Sequence, residues 1–228
     1  MFKSILIPIH KAGFPFIFIF VISSLAICTI SIGLGLIGAI LTAWCIYFFR
    51  NPPRIIPTRT GLIVSPADGI VQMISKAVPP EELEMGTSPC NRIAVFMNVF
   101  NVHVNRSPVS GTISKKSYRA GKFLNASFDK ASELNERMSL KAKMNDGTEV
   151  GFVQIAGLIA RRILCNVNEG DTIAIGEEFG LIRFGSRVDI YLPECTEPLV
   201  CLGQTTIAGE TILADLLSKE SARYGNKI

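Results

Sequence analysis

Between Phe14 and Phe49 the chain runs for 36 residues without an Asp, Glu, Lys or Arg, and no other feature constrains its fold as strongly. A helix needs about 20 apolar residues to cross a bilayer core, so the run suits either one long tilted helix or two short helices joined by a turn. Three glycines in Ser31-Ile32-Gly33-Leu34-Gly35-Leu36-Ile37-Gly38 lower helix propensity near the midpoint and place the expected turn there. Lys3 and Lys11 precede the run and Arg50 and Arg54 follow it. Positive charge at both ends favours a hairpin with both ends cytoplasmic. A helical pair buried inside a globular fold would satisfy the same pattern. The run is too long for a secretory h-region, and no small-residue cleavage site follows it. Adjacent prolines in Asn51-Pro52-Pro53-Arg54 stop a helix and start an extended segment. The chain thus divides into a membrane-associating segment, 1–53, and a second domain, 54–228.

From Gly61 onward, short β-rich runs alternate with Gly, Pro, Asn and Asp, as in Arg92-Ile93-Ala94-Val95-Phe96-Met97 and Arg187-Val188-Asp189-Ile190-Tyr191-Leu192. The expected class is mainly β (α+β), behind an N-terminal apolar helical membrane segment. Asp129 to Leu140 has little β-branching and reads as a short helix or an ordered loop. An internal echo joins Ser65-Pro66-Ala67-Asp68-Gly69 to Ser107-Pro108-Val109-Ser110-Gly111, each leading into a strand. The stretch from Val167 to Ile182 resembles the Gly-Asp hairpins of lipoyl and biotinyl carrier domains, which implies a barrel-sandwich, hybrid-motif-like β domain. A carrier also needs a Lys at the hairpin tip to hold its prosthetic group. Here the turn ends in Phe184-Gly185-Ser186, with no central Lys.

The net charge of +4 and pI near 8.8 point to an anionic lipid surface rather than nucleic acid, because no dense Lys/Arg cluster is interleaved with aromatics. Of six cysteines, Cys28 and Cys45 lie in the apolar run, and Cys90, Cys165, Cys195 and Cys201 show no Cys-x-x-Cys spacing. With only His10 and His103 as imidazoles, no metal site is expected. Reduced thiols in a cytoplasm-facing domain account for the cysteines.

Gly185-Ser186 carries the chemistry. A serine after a glycine can attack its own peptide bond. An N→O acyl shift gives an ester, β-elimination cuts the chain, and hydrolysis of the dehydroalanine leaves an N-terminal pyruvoyl group. That ketone can form a Schiff base with a substrate amine and draw electrons from the neighbouring carbon. Cleavage needs a base for the Ser186 hydroxyl and an acid for the leaving nitrogen, roles one imidazole can fill if a carboxylate orients it. His103 is the only histidine outside the N-terminal arm, and Asp68 sits in a Pro-Ala-Asp-Gly turn. By themselves these two residues also read as a core histidine and a turn-capping aspartate. A serine hydrolase is a further reading, but Gly-x-Ser-x-Gly is absent, since Arg187-Val188 follows Ser186.

Eight blocks in order, among them Tyr47-Phe48-Phe49-Arg50-Asn51-Pro52, Ser65-Pro66-Ala67-Asp68-Gly69, Asn98-Val99-Phe100-Asn101-Val102-His103-Val104-Asn105, Gln154-Ile155-Ala156-Gly157-Leu158 and Phe184-Gly185-Ser186-Arg187, resemble the phosphatidylserine decarboxylase proenzymes in their short bacterial form. The resemblance implies self-cleavage at Gly185-Ser186 into chains 1–185 and 186–228 that stay together as a heterodimer, with a homo-oligomer left open. It implies a covalent pyruvoyl cofactor made from Ser186 and an Asp-His-Ser maturation set carried onto Asp68, His103 and Ser186. Phosphatidylserine is the implied substrate, decarboxylated to phosphatidylethanolamine at the cytoplasmic face of the inner cell membrane. Longer members carry two histidines three apart, whereas this chain has His103 and then Arg106, which leaves the division of labour at the imidazole open. Arg161, Arg162, Arg183 and Arg187 are candidates for the substrate phosphate and carboxylate because guanidinium suits such groups.

Overall fold

The computed structural model describes residues 7–126, 131–158, 162–183 and 185–226. Two helices come first, α1 (Phe14–Cys28) and α2 (Ile32–Phe48), followed by β1 (Leu62–Val64), β2 (Gly69–Ala77), β3 (Cys90–Met97), β4 (Val104–Arg106) and β5 (Gly111–Arg119). A single helical turn, α3 (Ala131–Leu134), precedes β6 (Arg137–Lys143), β7 (Glu149–Ala156), β8 (Ile163–Cys165), β9 (Thr172–Ile173), β10 (Glu178–Ile182), β11 (Ser186–Tyr191), β12 (Thr205–Thr206) and β13 (Ile212–Asp215). The mainly β class and the apolar helical segment are as the sequence predicts.

α1 and α2 form an antiparallel hairpin that turns at Thr29-Ile30-Ser31, earlier than the glycines suggest. Gly35 and Gly38 lie inside α2, where they permit close approach instead of a turn. A Cβ at Gly35 would stand 2.7 Å from Cys28 Cβ, and one at Gly38 would stand 2.5 Å from Ser24 Oγ. Ser24 and Thr42 then meet across the seam at 3.3 Å. Both helices leave Phe18, Ile22, Leu25, Leu36 and Ile40 exposed, as suits an apolar solvent rather than water. At 15 and 17 residues they are about 22 and 25 Å long, short of a hydrocarbon core about 30 Å thick. The exposed apolar surface of the hairpin suits association with a membrane.

Its base is stapled to the β domain. Ile9 and Arg50 form an antiparallel bridge, with His10 N–H donating to Phe49 O (2.8 Å) and Asn51 N–H to Pro8 O (2.7 Å). Cys45, Phe48 and Phe49 bury completely against Val102, Val104 and Leu181. Each such Phe contributes about 1.5–3 kcal/mol by area, so the hairpin is fused to the domain and does not hang from a linker.

The β domain has an eight-stranded sheet, order β12-β2-β3-β11-β7-β6-β5-β9, a three-stranded sheet β4-β10-β8, and the pair β1-β13. The main core lies between the two larger sheets, where Met97, Phe152, Val188 and Ile190 meet Ile163, Phe179 and Ile182. The hairpin covers the other face of the three-stranded sheet through Leu181 and Val104. Strand alternation in β11 turns Ser186, Val188 and Ile190 inward, and Arg187, Asp189 and Tyr191 to the opposite face.

The sequence echo is structural. Ser65 Oγ donates to Ala67 O and Ser107 Oγ to Val109 O. The two turns clasp each other, Arg106 N–H bonding Pro66 O and Val64 N–H bonding Pro108 O, each at 2.9 Å. Pairs β1-β13 and β2-β12 are thereby matched by β4-β10 and β5-β9. Ile56 wedges between the turn glycines Gly176 and Gly209, both at positive φ. The segment from Asp129 to Leu140 resolves into the turn α3 and the start of β6, with Asp129 and Lys130 outside the described residues.

Candidate active site

Ser186 opens β11, the strand between β3 and β7, where it faces Met97 on one side and Ala156 on the other. It is fully buried. Its hydroxyl reaches Met97 Sδ at 4.0 Å, a weak acceptor, and makes no stronger hydrogen bond among the described residues. Gly185 has φ of +68°, a conformation that favours glycine over residues with a Cβ. The Gly185 carbonyl lies against Gly157, where a Cβ would come within 2.2 Å of that oxygen. Two glycines therefore shape the peptide unit that would be cut.

His103 lies just before β4. The Gly185 N–H donates to its Nε2 at 3.2 Å, and its Nδ1 meets Asn101 O at 3.0 Å. Since Nε2 accepts, the ring proton is assigned to Nδ1, which donates to Asn101. The Phe48 ring stands over the imidazole, centroids 4.3 Å apart. Burial pushes His103 down from 6.5 to about 4; the Asn101 carbonyl opposes that shift and the Arg50 charge adds to it. At neutral pH the ring is an uncharged base whose lone pair points at the amide one residue before Ser186.

Among the described residues Asp68 makes no hydrogen bond to the imidazole; its partners are elsewhere. Its two oxygens accept from Arg54 Nη2 at 2.8 and 2.7 Å, and Oδ1 also accepts from Ala208 N–H at 2.8 Å. The side chains of this ion pair are 10% and 15% exposed, and a guanidinium is a far stronger partner for a carboxylate than a neutral imidazole. Near it stands Arg106, the residue three after His103. It bonds Gly176 O, Asn51 Oδ1 and Glu178 Oε1, so it holds strand ends together.

The arginine candidates separate. Arg187 is fully buried and paired with Asp189, with Nε to Oδ1 at 2.7 Å and Nη2 to Oδ2 at 2.9 Å, and it donates to Ala126 O. It braces the opposite face of β11 and does not face Ser186, because alternation turns it away. Arg183 lies over the Phe16 ring at 5.0 Å, Arg162 is exposed, and Arg161 lies outside the described residues. A cavity of about 250 Å³ reaches Gly185, with Asn98 and Asn125 as its polar side chains beside Val99, Gly157 and Leu158. A larger one of about 660 Å³, lined by Ser75, Arg92, Arg137 and Tyr191, is on the opposite face of β11 from Ser186.

Sequence reasoning passed over Asn101, Asn105 and Gln154. Gln154 Nε2 donates to Asn105 Oδ1 at 2.8 Å, tying the two sheets together, and Asn105 Nδ2 reaches Met97 Sδ at 3.6 Å. These residues stand in the quoted blocks, but amides carry no charge and do not titrate, so nothing in the sequence alone marks them.

A model of the family described as phosphatidylserine decarboxylase matches residues 41–214. The chain belongs to this family. A phosphatidylserine decarboxylase proenzyme of Paramagnetospirillum magneticum is 57% identical over 223 residues, 98% of this chain and 93% of the relative. One of Cereibacter sphaeroides is 56% identical over 225 residues, covering 99% and 97%, and one of Ruegeria pomeroyi is 59% identical over 209 residues, covering 92% and 95%. The phosphatidylserine decarboxylase match begins inside α2, so it takes in Phe48 and Phe49 together with His103, Gly157 and Gly185-Ser186.

Proposed function

We propose that the chain is a proenzyme that cuts itself between Gly185 and Ser186 and then decarboxylates phosphatidylserine to phosphatidylethanolamine and CO2 at the cytoplasmic face of the inner cell membrane. The observation that carries the reading is the Gly185 N–H on Nε2 of His103. It supports a role for the uncharged ring as base, one residue from a buried hydroxyl whose one hydrogen-bond contact among the described residues is the Met97 thioether.

In the first step Ser186 Oγ attacks the Gly185 carbonyl carbon while Nε2 of His103 takes the hydroxyl proton. The protonated ring returns that proton to the Ser186 nitrogen as the C–N bond breaks, giving an ester. Loss of the Ser186 Hα and of the Gly185 carboxylate then leaves dehydroalanine, and water releases ammonia. Left-handed Gly185 sets the carbonyl's orientation, Gly157 leaves it room, and Asp68 acts as a positioning residue through Arg54.

The site fits the pyruvoyl group that its own serine yields, since Ser186 is buried and the cavity beside it opens on Gly185. That group supplies a ketone that takes the substrate amine and holds the electron pair left when CO2 departs. In this reading Asn98 and Asn125 supply amide groups to the headgroup, and the apolar wall of the cavity excludes water. The hairpin seats the domain at the lipid surface. The test is CO2 release from vesicles containing carboxyl-labelled phosphatidylserine. Activity is expected with the full-length chain and none with Ser186→Ala; release by Ser186→Ala would refute the assignment.

A further inference from the structure

We infer that the membrane hairpin is a wall of the active site: the Phe48 ring dries and positions the His103 imidazole, so seating in the membrane and chemistry at Gly185-Ser186 are linked through one side chain. The inference rests on the proposed role of His103 as the base, and goes beyond it in giving the anchor a part in the reaction.

Four observations carry it. Phe48 is fully buried at the end of a helix that leaves Leu36, Ile37 and Ile40 exposed, and its ring lies 4.3 Å from the imidazole at 33°, closer to stacked than to edge-on. Phe48 is itself held edge-on by Phe49 at 5.0 Å, and Phe49 is stacked on Phe16 of α1 at 5.6 Å, so both helices stand behind it. The Ile9–Arg50 bridge and its hydrogen bonds fix the base of the hairpin two residues beyond Phe48. Finally, α1 touches the approach to the cleavage point a second time, through Phe16 under Arg183. A tethered anchor would need none of these contacts.

The consequence is electrostatic. The imidazole carries its proton on Nδ1, toward Asn101, and can act through Nε2 only while uncharged. Apolar cover disfavours the charged ring, and Phe48 supplies the aromatic part of that cover. Arg50, at the end of the same helix, adds a positive charge in the same direction. Of the other ionisable groups near the ring, Arg106 on β4 is turned to Glu178, Arg183 before the cleavage point lies on Phe16, and Asp68 is held by Arg54. Shortening Phe48 admits water to one face of the ring and moves its titration back toward the ordinary histidine range.

The test measures precursor cleavage against pH for full-length chain made cell-free onto phosphatidylglycerol/phosphatidylethanolamine vesicles. Phe48→Ala should move the midpoint of the acid limb up by about 1 pH unit or more, and Phe48→Val, the smaller cut, should move it the same way by less. Phe48→Leu, which keeps the apolar cover, should leave the midpoint in place with a lower plateau rate, because the flat ring contact is gone. Phe16→Ala weakens the same apolar cluster without touching the imidazole and should lower the rate with the midpoint unmoved. If Phe48→Ala is recovered only as aggregate, the comparison of Phe48→Val with Phe16→Ala decides. Midpoints equal to wild type in both Phe48 truncations, with His103→Ala uncleaved, would overturn the inference and leave the base assignment standing. Cleavage by His103→Ala at the normal rate would remove the base assignment itself.

Discussion

The amide of Gly185 donates to Nε2 of His103 across 3.2 Å, which puts the only imidazole of the β domain on the nitrogen that precedes the proposed cleavage point. The ring is already in the tautomer that accepts there. Transfer of Nε2 from that amide to the neighbouring hydroxyl of Ser186 is the one change needed before attack.

Removing the imidazole tests this directly. His103→Ala should accumulate uncut precursor, and His103→Gln, which can keep the bond to Gly185 N–H but is not a base, should do the same. Gel analysis of freshly synthesised chain reads both. Normal cutting in His103→Gln would show that the contact serves to hold the loop.

The low proton affinity of His103 also fixes a sign for stability. Its value of about 4 lies below the ordinary 6.5, so between these values the unfolded chain binds more protons than the folded one, and stability rises with pH. Unfolding of uncut Ser186→Ala chain should become easier as pH falls from 6.5 toward 4, by up to about 3 kcal/mol from this residue. In Ser186→Ala/His103→Phe that part of the pH dependence should disappear, as denaturant titrations at several pH values would show. An unchanged slope would mean the imidazole is not buried neutral.

Gly157 should be intolerant of a methyl group. A Cβ there would overlap the Gly185 carbonyl oxygen at 2.2 Å, and backbone cannot yield as a side-chain tip does. Overpacking of this kind costs about 1–3 kcal/mol, equivalent to about tenfold to hundredfold in rate if the strain falls on the carbonyl under attack. Timed precursor cleavage in Gly157→Ala measures it, and a wild-type rate would show that the carbonyl can move aside freely.

Asp68 and Arg54 should behave as a pair. Asp68→Asn keeps an acceptor for Ala208 N–H but leaves Arg54, 10% exposed, without its counter-charge, and slower cleavage is expected. Adding Arg54→Met should recover part of the loss, with a coupling of about 0.5–3 kcal/mol. A double variant as slow as or slower than Asp68→Asn would instead favour direct action of the carboxylate on His103.

Cutting away residues 1–49 should release the domain from membranes yet leave it uncut, because it strips Phe48 from His103 and exposes Val102, Val104 and Leu181. Fractionation at high salt and a gel give both readings. A soluble chain cleaved at the full rate would show that the hairpin serves only as an anchor.

Local pattern revealed a good deal of this molecule. The uncharged run and its basic flanks yield the hairpin, the Ser-Pro echo yields two matched halves, and Gly-Ser with a lone imidazole points to the pair whose backbone and ring meet at Gly185 and His103. What pattern could not reveal depends on distant contact. The glycines of α2 look like turn residues until Cys28 and Ser24 are seen packed against them. Arg54 reads as a topology signal until it is found on Asp68, and Phe48 reads as one more apolar residue of a membrane helix until it is found over His103. Arg187 could have been doubted from sequence, since alternation from Ser186 sends it to the opposite face of β11.

The central claim is that this chain makes its own catalytic carbonyl, and intact mass of the purified, full-length protein tests it most directly. Two chains are expected, residues 1–185 and 186–228, near 20 and 5 kDa in proportion to a whole of 24.9 kDa. The small chain should be lighter by one ammonia than its encoded sequence, resist Edman degradation, and gain mass on treatment with hydroxylamine as a ketone does. A single uncut chain with an unmodified Ser186 in fully active protein would contradict the account.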